Sequence, residues 1–213
     1  MSGEARATRV AVLDYEMSNL RSAAKALERL GADVRIARAP DEAEGADAIV
    51  LPGDGHFGEA MRRLRASGLD RLVVDAADAG TPVLGICIGL QVLFEASEEA
   101  PGVAGLGLLA GEVRRVRTFR KLPHIGWART RWVAGSPFAP AGAEGTYYYL
   151  HTYACEPRGP AEVLAETDLG VAVCAAAGAG AITGLQFHPE KSSAGGLALL
   201  ERWLAHVGAG VAA

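Results

Sequence analysis

The chain has 213 residues, half of them hydrophobic and 22% charged, with a formal net charge of −4. That composition supplies a sizeable core and excludes a disordered chain, and the charge offers no field to recruit nucleic acid or an anionic membrane. The opening MSGEARATRV carries an acidic residue and no apolar segment, so it does not read as a secretory signal.

In chain order, RVAVLDY (9–15) is a short apolar run. SNLRSAAKALERLG (18–31) has helical spacing, with Ser18 as the expected N-cap and Gly31 as the stop. DVRIA (33–37) and DAIVLPG (47–53) are strand-like, 57–68 and 69–80 helical, and PVLGI (82–86) a buried-type strand. Helices between apolar strands imply βαβ crossovers, hence an α/β fold with a mostly parallel central sheet flanked by helices. Past residue 110 the β-type runs EVRRVRTF (112–119), GTYYYLHTYAC (145–155), AEVLAET (161–167), GVAVCAAA (170–177) and AITGLQF (181–187) predict an added antiparallel region. Residues 169–189 carry no charge, but their glycines, glutamine and histidine fit strand–turn–strand better than a membrane span. An amphipathic helix over 195–208 closes the chain, and without a repeat or linker a single domain, 1–213, is expected.

Three widely spaced cysteines (Cys87, Cys155, Cys174) without a CxxC pair give no disulfide framework and no zinc motif, which suits a reducing, cytoplasmic compartment. Cys155 and Cys174 lie in β-type runs and read as core. Cys87 is different. It sits in Gly85-Ile86-Cys87-Ile88-Gly89, where a buried strand ends and a helix starts at once, the G-x-nucleophile-x-G arrangement. The turn is so sharp that side chains two residues either side of Cys87 would strike neighbouring backbone, and glycine removes the collision. The helix N-terminus favours a negative sulfur there, and the Ile88 N–H is placed to meet a developing oxyanion. Alone, the motif equally fits a buried cysteine in a βα turn.

A base and its orienter are available in GLQFHPEKS (184–192). The strand before it delivers His188, and in extended chain Glu190 lies on the same side and can fix the imidazole's tautomer. An exposed HPE turn is the ordinary alternative, but a cysteine elbow and a strand-borne HPE in one chain are more specific together.

GICIGLQ with QFHPE resembles the class I (triad) glutamine amidotransferases over about residues 10–205. DYEMSNLRS (14–22), LPGDGHFGEAM (51–61) and KLPHIGW (121–127), supported by YYYLHTY (147–153) and HPEKS (188–192), narrow the resemblance to the glutaminase subunits of imidazole glycerol phosphate synthase in histidine biosynthesis. The resemblance implies Cys87 as nucleophile, His188 as general base and acid, and Glu190 as its orienter. Glutamine would be hydrolysed to glutamate and ammonia through a cysteinyl thioester. It implies oxyanion donors at the Ile88 and Asp54 backbone, with Gly53 and Gly55 allowing the loop to rotate. Substrate contacts are expected from Gly53, Gly55, Gln91, His151, Thr152 and Tyr153. For Gln91 the alternative is a solvated helix residue, and for His151 a packed, hydrogen-bonded strand histidine. The implied partner is a cyclase subunit with a (β/α)₈ barrel, forming a heterodimer, receiving the ammonia and making imidazole glycerol phosphate and AICAR. Pro123, Trp127, Tyr148 and Lys191 match interface positions. No metal or cofactor is implied.

The chain departs from the family pattern at Glu16 and Ser18, where glycine is common, and at Asp54 and His56, where small apolar residues are common. His56 imitates a second base, but its loop position suits a solvated role. The basic cluster Arg114, Arg115, Arg117, Arg120 and Lys121 reads as a solvated strand face. Competing readings are a glutaminase subunit of another synthase, a stand-alone cysteine γ-glutamyl hydrolase, and a non-catalytic binding subunit; the intact triad disfavours the last.

Overall fold

A computed structural model describes residues 6–159 and 162–211. The reading of the N-terminal segment falls partly on residues 1–5, and the strand expected over 161–167 begins on Ala161; those residues lie outside the described ones.

The first half follows the βα alternation of the sequence: β1 (Arg9–Leu13), α1 (Leu20–Arg29), β2 (Asp33–Ala37), β3 (Ala48–Leu51), α2 (Phe57–Ser67), α3 (Leu69–Asp78), β4 (Val83–Ile86). Helix α1 ends as predicted. Gly31 takes φ +87°, its N–H bonds the Glu28 carbonyl and the Ala32 N–H reaches Leu27, closing the last turn. Its start differs. Asn19, not Ser18, is the N-cap, in left-handed conformation and with no capping hydrogen bond from its side chain. After β4 comes α4 (Ile88–Gln91), a single turn rather than a sustained helix, and a two-residue strand, β5 (Ala96–Ser97).

The second half contains β6 (Gly111–Arg115), β7 (His124–Trp132), β8 (Glu144–His151), β9 (Tyr153–Pro157), β10 (Val163–Asp168), β11 (Ala172–Ala179), β12 (Ile182–Leu185) and α5 (Ser193–Val211). Strand β7 has no counterpart in the sequence reading. The single run expected over 145–155 breaks at Thr152 into β8 and β9, which join different sheets. The uncharged stretch 169–189 folds as β11, a turn and β12. No described helix is long and apolar enough to cross a membrane.

Among the described residues, nine strands form one sheet in the order β2-β1-β3-β4-β12-β11-β10-β7-β8. From β2 to β12 all pairings are parallel; from β12 to β8 all are antiparallel. A smaller sheet, β5-β6-β9, has one parallel and one antiparallel pairing. Side chains alternate across the central strands, so each face builds its own core. Val10, Val12, Val50, Leu84 and Ile86 pack with Ala23 and Leu27 of α1 and Leu199 and Trp203 of α5. Ala11, Leu13, Ile49, Leu51 and Val83 pack with Phe57, Met61 and Leu64 of α2 and Val73 of α3. Cys155 and Cys174 are buried in the second core, as expected.

Candidate active site

Four adjacent parallel strands, β1, β3, β4 and β12, lead from their carboxyl ends to Asn19, Asp54, Cys87 and His188. Loops at the carboxyl ends of parallel strands are where open α/β sheets place ligands.

The elbow is built as the two glycines demand. Cys87 has φ 55° and ψ −107°, a strained backbone for a side-chain-bearing residue. A Cβ on Gly85 would stand 2.6 Å from the Gly89 carbonyl oxygen, and one on Gly89 would stand 1.7 Å from the Leu51 oxygen. Strand β4 can therefore turn into α4 against β3 only with glycine at both places. The Cys87 side chain is buried; its Sγ lies 3.8 Å from the Leu150 carbonyl oxygen and 3.7 Å from Nε2 of Gln186.

His188 follows β12 in extended conformation and its N–H donates to the Tyr148 carbonyl (2.9 Å), which ties the segment to β8. Its Nδ1 donates to Glu190 Oε1 at 2.8 Å. Glu190 reaches the ring from a short 3₁₀ turn over Pro189–Lys191, not from extended chain; the expected pair forms by a different backbone path. On the other side of the ring, Nε2 lies 3.1 Å from Asp54 Oδ1, and Lys191 Nζ donates to Asp54 Oδ2 at 3.1 Å. Burial works against charge on His188, but Asp54, the Cys87 thiol and Glu190 outweigh it and hold the ring's pKa well above its ordinary value. For Asp54 too burial favours the neutral form, yet His188 and Lys191 keep its pKa below the usual carboxylate range.

The loop carrying Asp54 is packed closely. The Tyr15 hydroxyl donates to the Pro52 carbonyl at 2.6 Å. A Cβ on Gly53 would meet Ile88 and the Tyr15 hydroxyl at 2.4 and 2.5 Å, and Gly55 has φ +132°. His56 is exposed, as its loop position suggests, and serves as the N-cap of α2, its Nδ1 accepting from the Gly58 N–H at 3.1 Å.

A cavity of about 200 Å³ opens over the sulfur, lined by Asp54, Gly55, Cys87, Ile88, Gln91, Glu99, Pro123, Leu150, His151, Thr152 and Tyr153. That is smaller than the sites that enclose drug-sized ligands and suits something of amino-acid size. Gln91 is buried, against the solvated alternative, and its amide donates to the Tyr153 carbonyl (3.0 Å) and to Gln186 Oε1 (3.1 Å). His151 donates from Nδ1 to the Tyr153 carbonyl (3.0 Å) and faces His124 Nδ1 through Nε2 at 3.1 Å. Both its ring nitrogens are engaged, as in a packed strand histidine, and the same residue lines the cavity, as a substrate contact would. Burial pushes its pKa down to about 4.

Three site residues escaped the sequence reading. The Asn19 side chain donates to Glu190 Oε1 and lies 3.3 Å from His188 Nδ1. Gln186, fully buried, links Gln91 to the cysteine. Glu99 lines the cavity and accepts from the Phe57 N–H at 2.7 Å. Only Gln186 left a signal, as a polar residue at an inward strand end.

Of the positions expected at an interface, Pro123 lines the cavity, Lys191 pairs with Asp54, and Trp127 stands 53% exposed with its ring edge against Tyr148 at 6.2 Å. In the basic cluster, Arg114 is paired with Glu98, Glu112 and Glu156, and Arg117 with Glu98, as on an ordinary solvated face.

A family model described as glutamine amidotransferase class-I matches residues 11–207. The imidazole glycerol phosphate synthase subunit HisH of Bacillus licheniformis is 42% identical over 91% of this chain and 94% of its own length. The protein of the same name from Deinococcus radiodurans is 45% identical over 91% of this chain and 92% of its own. A solved structure of PurLQS from Thermotoga maritima superposes with a TM-score of 0.77 over 95% of this chain and 100% of that one, at 21% identity, a likeness of fold alone.

Proposed function

The chain belongs to the class I glutamine amidotransferase family, and from that premise we infer that it is the glutaminase subunit of imidazole glycerol phosphate synthase. The observation that carries the chemistry is the Cys87 sulfur grouped with His188 beneath an amino-acid-sized cavity, with Glu190 2.8 Å from the far ring nitrogen. Cys87 gives its thiol proton to His188, and its Sγ attacks the side-chain amide carbon of glutamine. The oxyanion that forms takes hydrogen bonds from the Ile88 and Asp54 N–H groups, each such donor contributing on the order of 10²–10³-fold in rate. His188 passes its proton to the departing ammonia, leaving a glutamyl thioester, then takes one from the attacking water, and glutamate leaves as the thiol re-forms. Glu190 holds the ring and supports its charge. Gln91, Thr152 and Tyr153, with Gly53 and Gly55 beside them, shape the pocket for the amino-acid end of the substrate.

Ammonia released at an open mouth would be lost to water, so a partner must cover it. The partner is a cyclase with a (β/α)₈ barrel, working with this subunit in the cytoplasm, the whole chain acting as one domain. Support comes from the outer face of β7 and β8. Ile125 (59% exposed) and Trp127 are paired in register with Leu150 and Tyr148, and Leu150 also lines the cavity. An exposed apolar patch continuous with a site mouth suits a protein contact.

Glutamate release from glutamine is the test, for the chain alone and then with the cyclase and its nucleotide substrate. A low rate alone and a large rise in the complex are expected; full activity alone points to a stand-alone hydrolase, and silence in both overturns the assignment. Cys87→Ala should lower glutamine-dependent synthesis by at least about 10³-fold while the complex still works with added ammonia. Retained glutamine use in that variant would remove Cys87 from its role.

A further inference from the structure

His188 Nε2 and Asp54 Oδ1 are buried and face each other at 3.1 Å without hydrogen-bond geometry, and neither has another partner among the described residues. The pair satisfies both atoms only while the ring is protonated, and a neutral His188 leaves two buried polar atoms that need another partner. The Cys87 sulfur completes the group: one donor atom each from Asp54, Cys87 and His188 lies within 4.8 Å of the others. Around a tetrahedral zinc ion, with bonds of about 2.0–2.3 Å, donor atoms stand roughly 3.3–3.7 Å apart. The nitrogen–oxygen spacing is already close to that value. The supporting groups are in place as well. Glu190 accepts from Nδ1 at 2.8 Å, the carboxylate–histidine arrangement that presents Nε2 to a metal. Lys191 occupies Oδ2 of Asp54 and leaves Oδ1 facing His188. The three donors come from three different loops, so no spacing motif announces them.

We propose that Asp54, Cys87 and His188 form a site for one zinc-type divalent cation, whose binding shuts off the cysteine nucleophile. The proposal rests on the reading of Cys87 and His188 as nucleophile and base. The thiol binds as thiolate and releases its proton to solvent, His188 offers the lone pair of Nε2 once any proton there is lost, and Asp54 supplies an oxygen. A fourth position stays open to water. Sulfur, imidazole and a single carboxylate select zinc or cobalt over magnesium or calcium, which take oxygen ligands. Cation and substrate amide compete for one sulfur, so inhibition is reversible by chelation.

The test titrates the full chain with Co²⁺ and then Zn²⁺ without glutamine, so that binding is read independently of turnover. One Co²⁺ per chain is expected, with a thiolate-to-cobalt charge-transfer band that Zn²⁺ displaces. Zn²⁺ should also protect Cys87, located by mass spectrometry, from iodoacetamide. Asp54→Asn should weaken Zn²⁺ binding at least about tenfold, in a variant shown folded by its thermal melt, and Cys87→Ser should abolish the band. Unchanged affinity in Asp54→Asn, a band that survives in Cys87→Ser, or no protection of Cys87 in the wild-type chain overturns the site. If metal binds as described but no glutamate is released under any condition, the glutaminase reading fails and the metal site stands. Normal glutaminase activity without metal binding sinks the site alone.

Discussion

His188 has two ring nitrogens and two carboxylates competing for them. Glu190 takes Nδ1 in the manner of a triad orienter, with Asn19 bracing the carboxylate from behind. Asp54 takes the side of Nε2, the nitrogen that a proton from Cys87 would reach. In the metal-free chain an anion there holds the imidazole charged and draws it towards the loop, in competition with the thiol. Lys191 keeps that anion in place. Asparagine has the same size without the charge and leaves the backbone N–H of residue 54 intact. A partly exposed ion pair contributes about 1 kcal/mol, or roughly fivefold in an equilibrium. Asp54→Asn should therefore raise the glutaminase rate of the isolated chain about fivefold, measured as glutamate release under chelator. An unchanged or lower rate would show that Asp54 does not restrain His188. The departure at position 54 was visible in the sequence, since an acid replaces a small apolar residue; its partners were not, because His188 and Lys191 lie far along the chain.

The elbow is where an element depends most on single atoms. Strand β4 reaches Cys87 with the Leu51 carbonyl of β3 directly behind Gly89. Gly89→Ala would drive a Cβ to 1.7 Å from that oxygen, a contact with rigid backbone that no rotamer change relieves. The variant should lose at least about 3 kcal/mol, or fail to fold. Gly135→Ala, where none of the described residues lies within 4 Å of the new atom, should melt close to wild type; equal melting temperatures for both would contradict the packing at the elbow. This element was legible from sequence because its requirement is local: two glycines at fixed offsets from one nucleophile. So were the βα crossovers, whose apolar periodicity repeats over whole elements. Strand β7 was not, because Gly126 and the preceding Pro123 interrupt the β-type pattern and its exposed face carries Ile125 and Trp127 in place of polar residues. The split of 145–155 was hidden for a similar reason. Nothing in Leu150-His151-Thr152-Tyr153 breaks the run, and the two strands part only because β7 claims one and β6 the other. Asn19 illustrates the same limit in a helix start: cap propensity favours Ser18 and Asn19 almost equally, and the Asn19 side chain bonds Glu190 across the site instead of the helix.

At the scale of the molecule, the two sheets meet where β8 becomes β9, and His151 is the fastening. It ends one strand, donates to the Tyr153 carbonyl that begins the other, and accepts from His124 at the head of β7. This works only while the His151 ring is neutral, since Nε2 must accept. Burial depresses its pKa from 6.5 to about 4, and burial lowers that of His124 as well. Because the folded value lies below the unfolded one, the unfolded chain binds the proton first. The contribution is therefore fully present above pH 6.5 and is lost as pH falls towards 4, by up to about 3 kcal/mol. Urea unfolding at pH 7.0, 5.5 and 4.5 should show a progressive loss of stability. His151→Gln, which cannot take up a proton, should flatten part of that slope even though it starts from a lower stability. An identical pH slope in wild type and variant would mean that acid acts elsewhere and that the junction of the sheets does not depend on a neutral histidine.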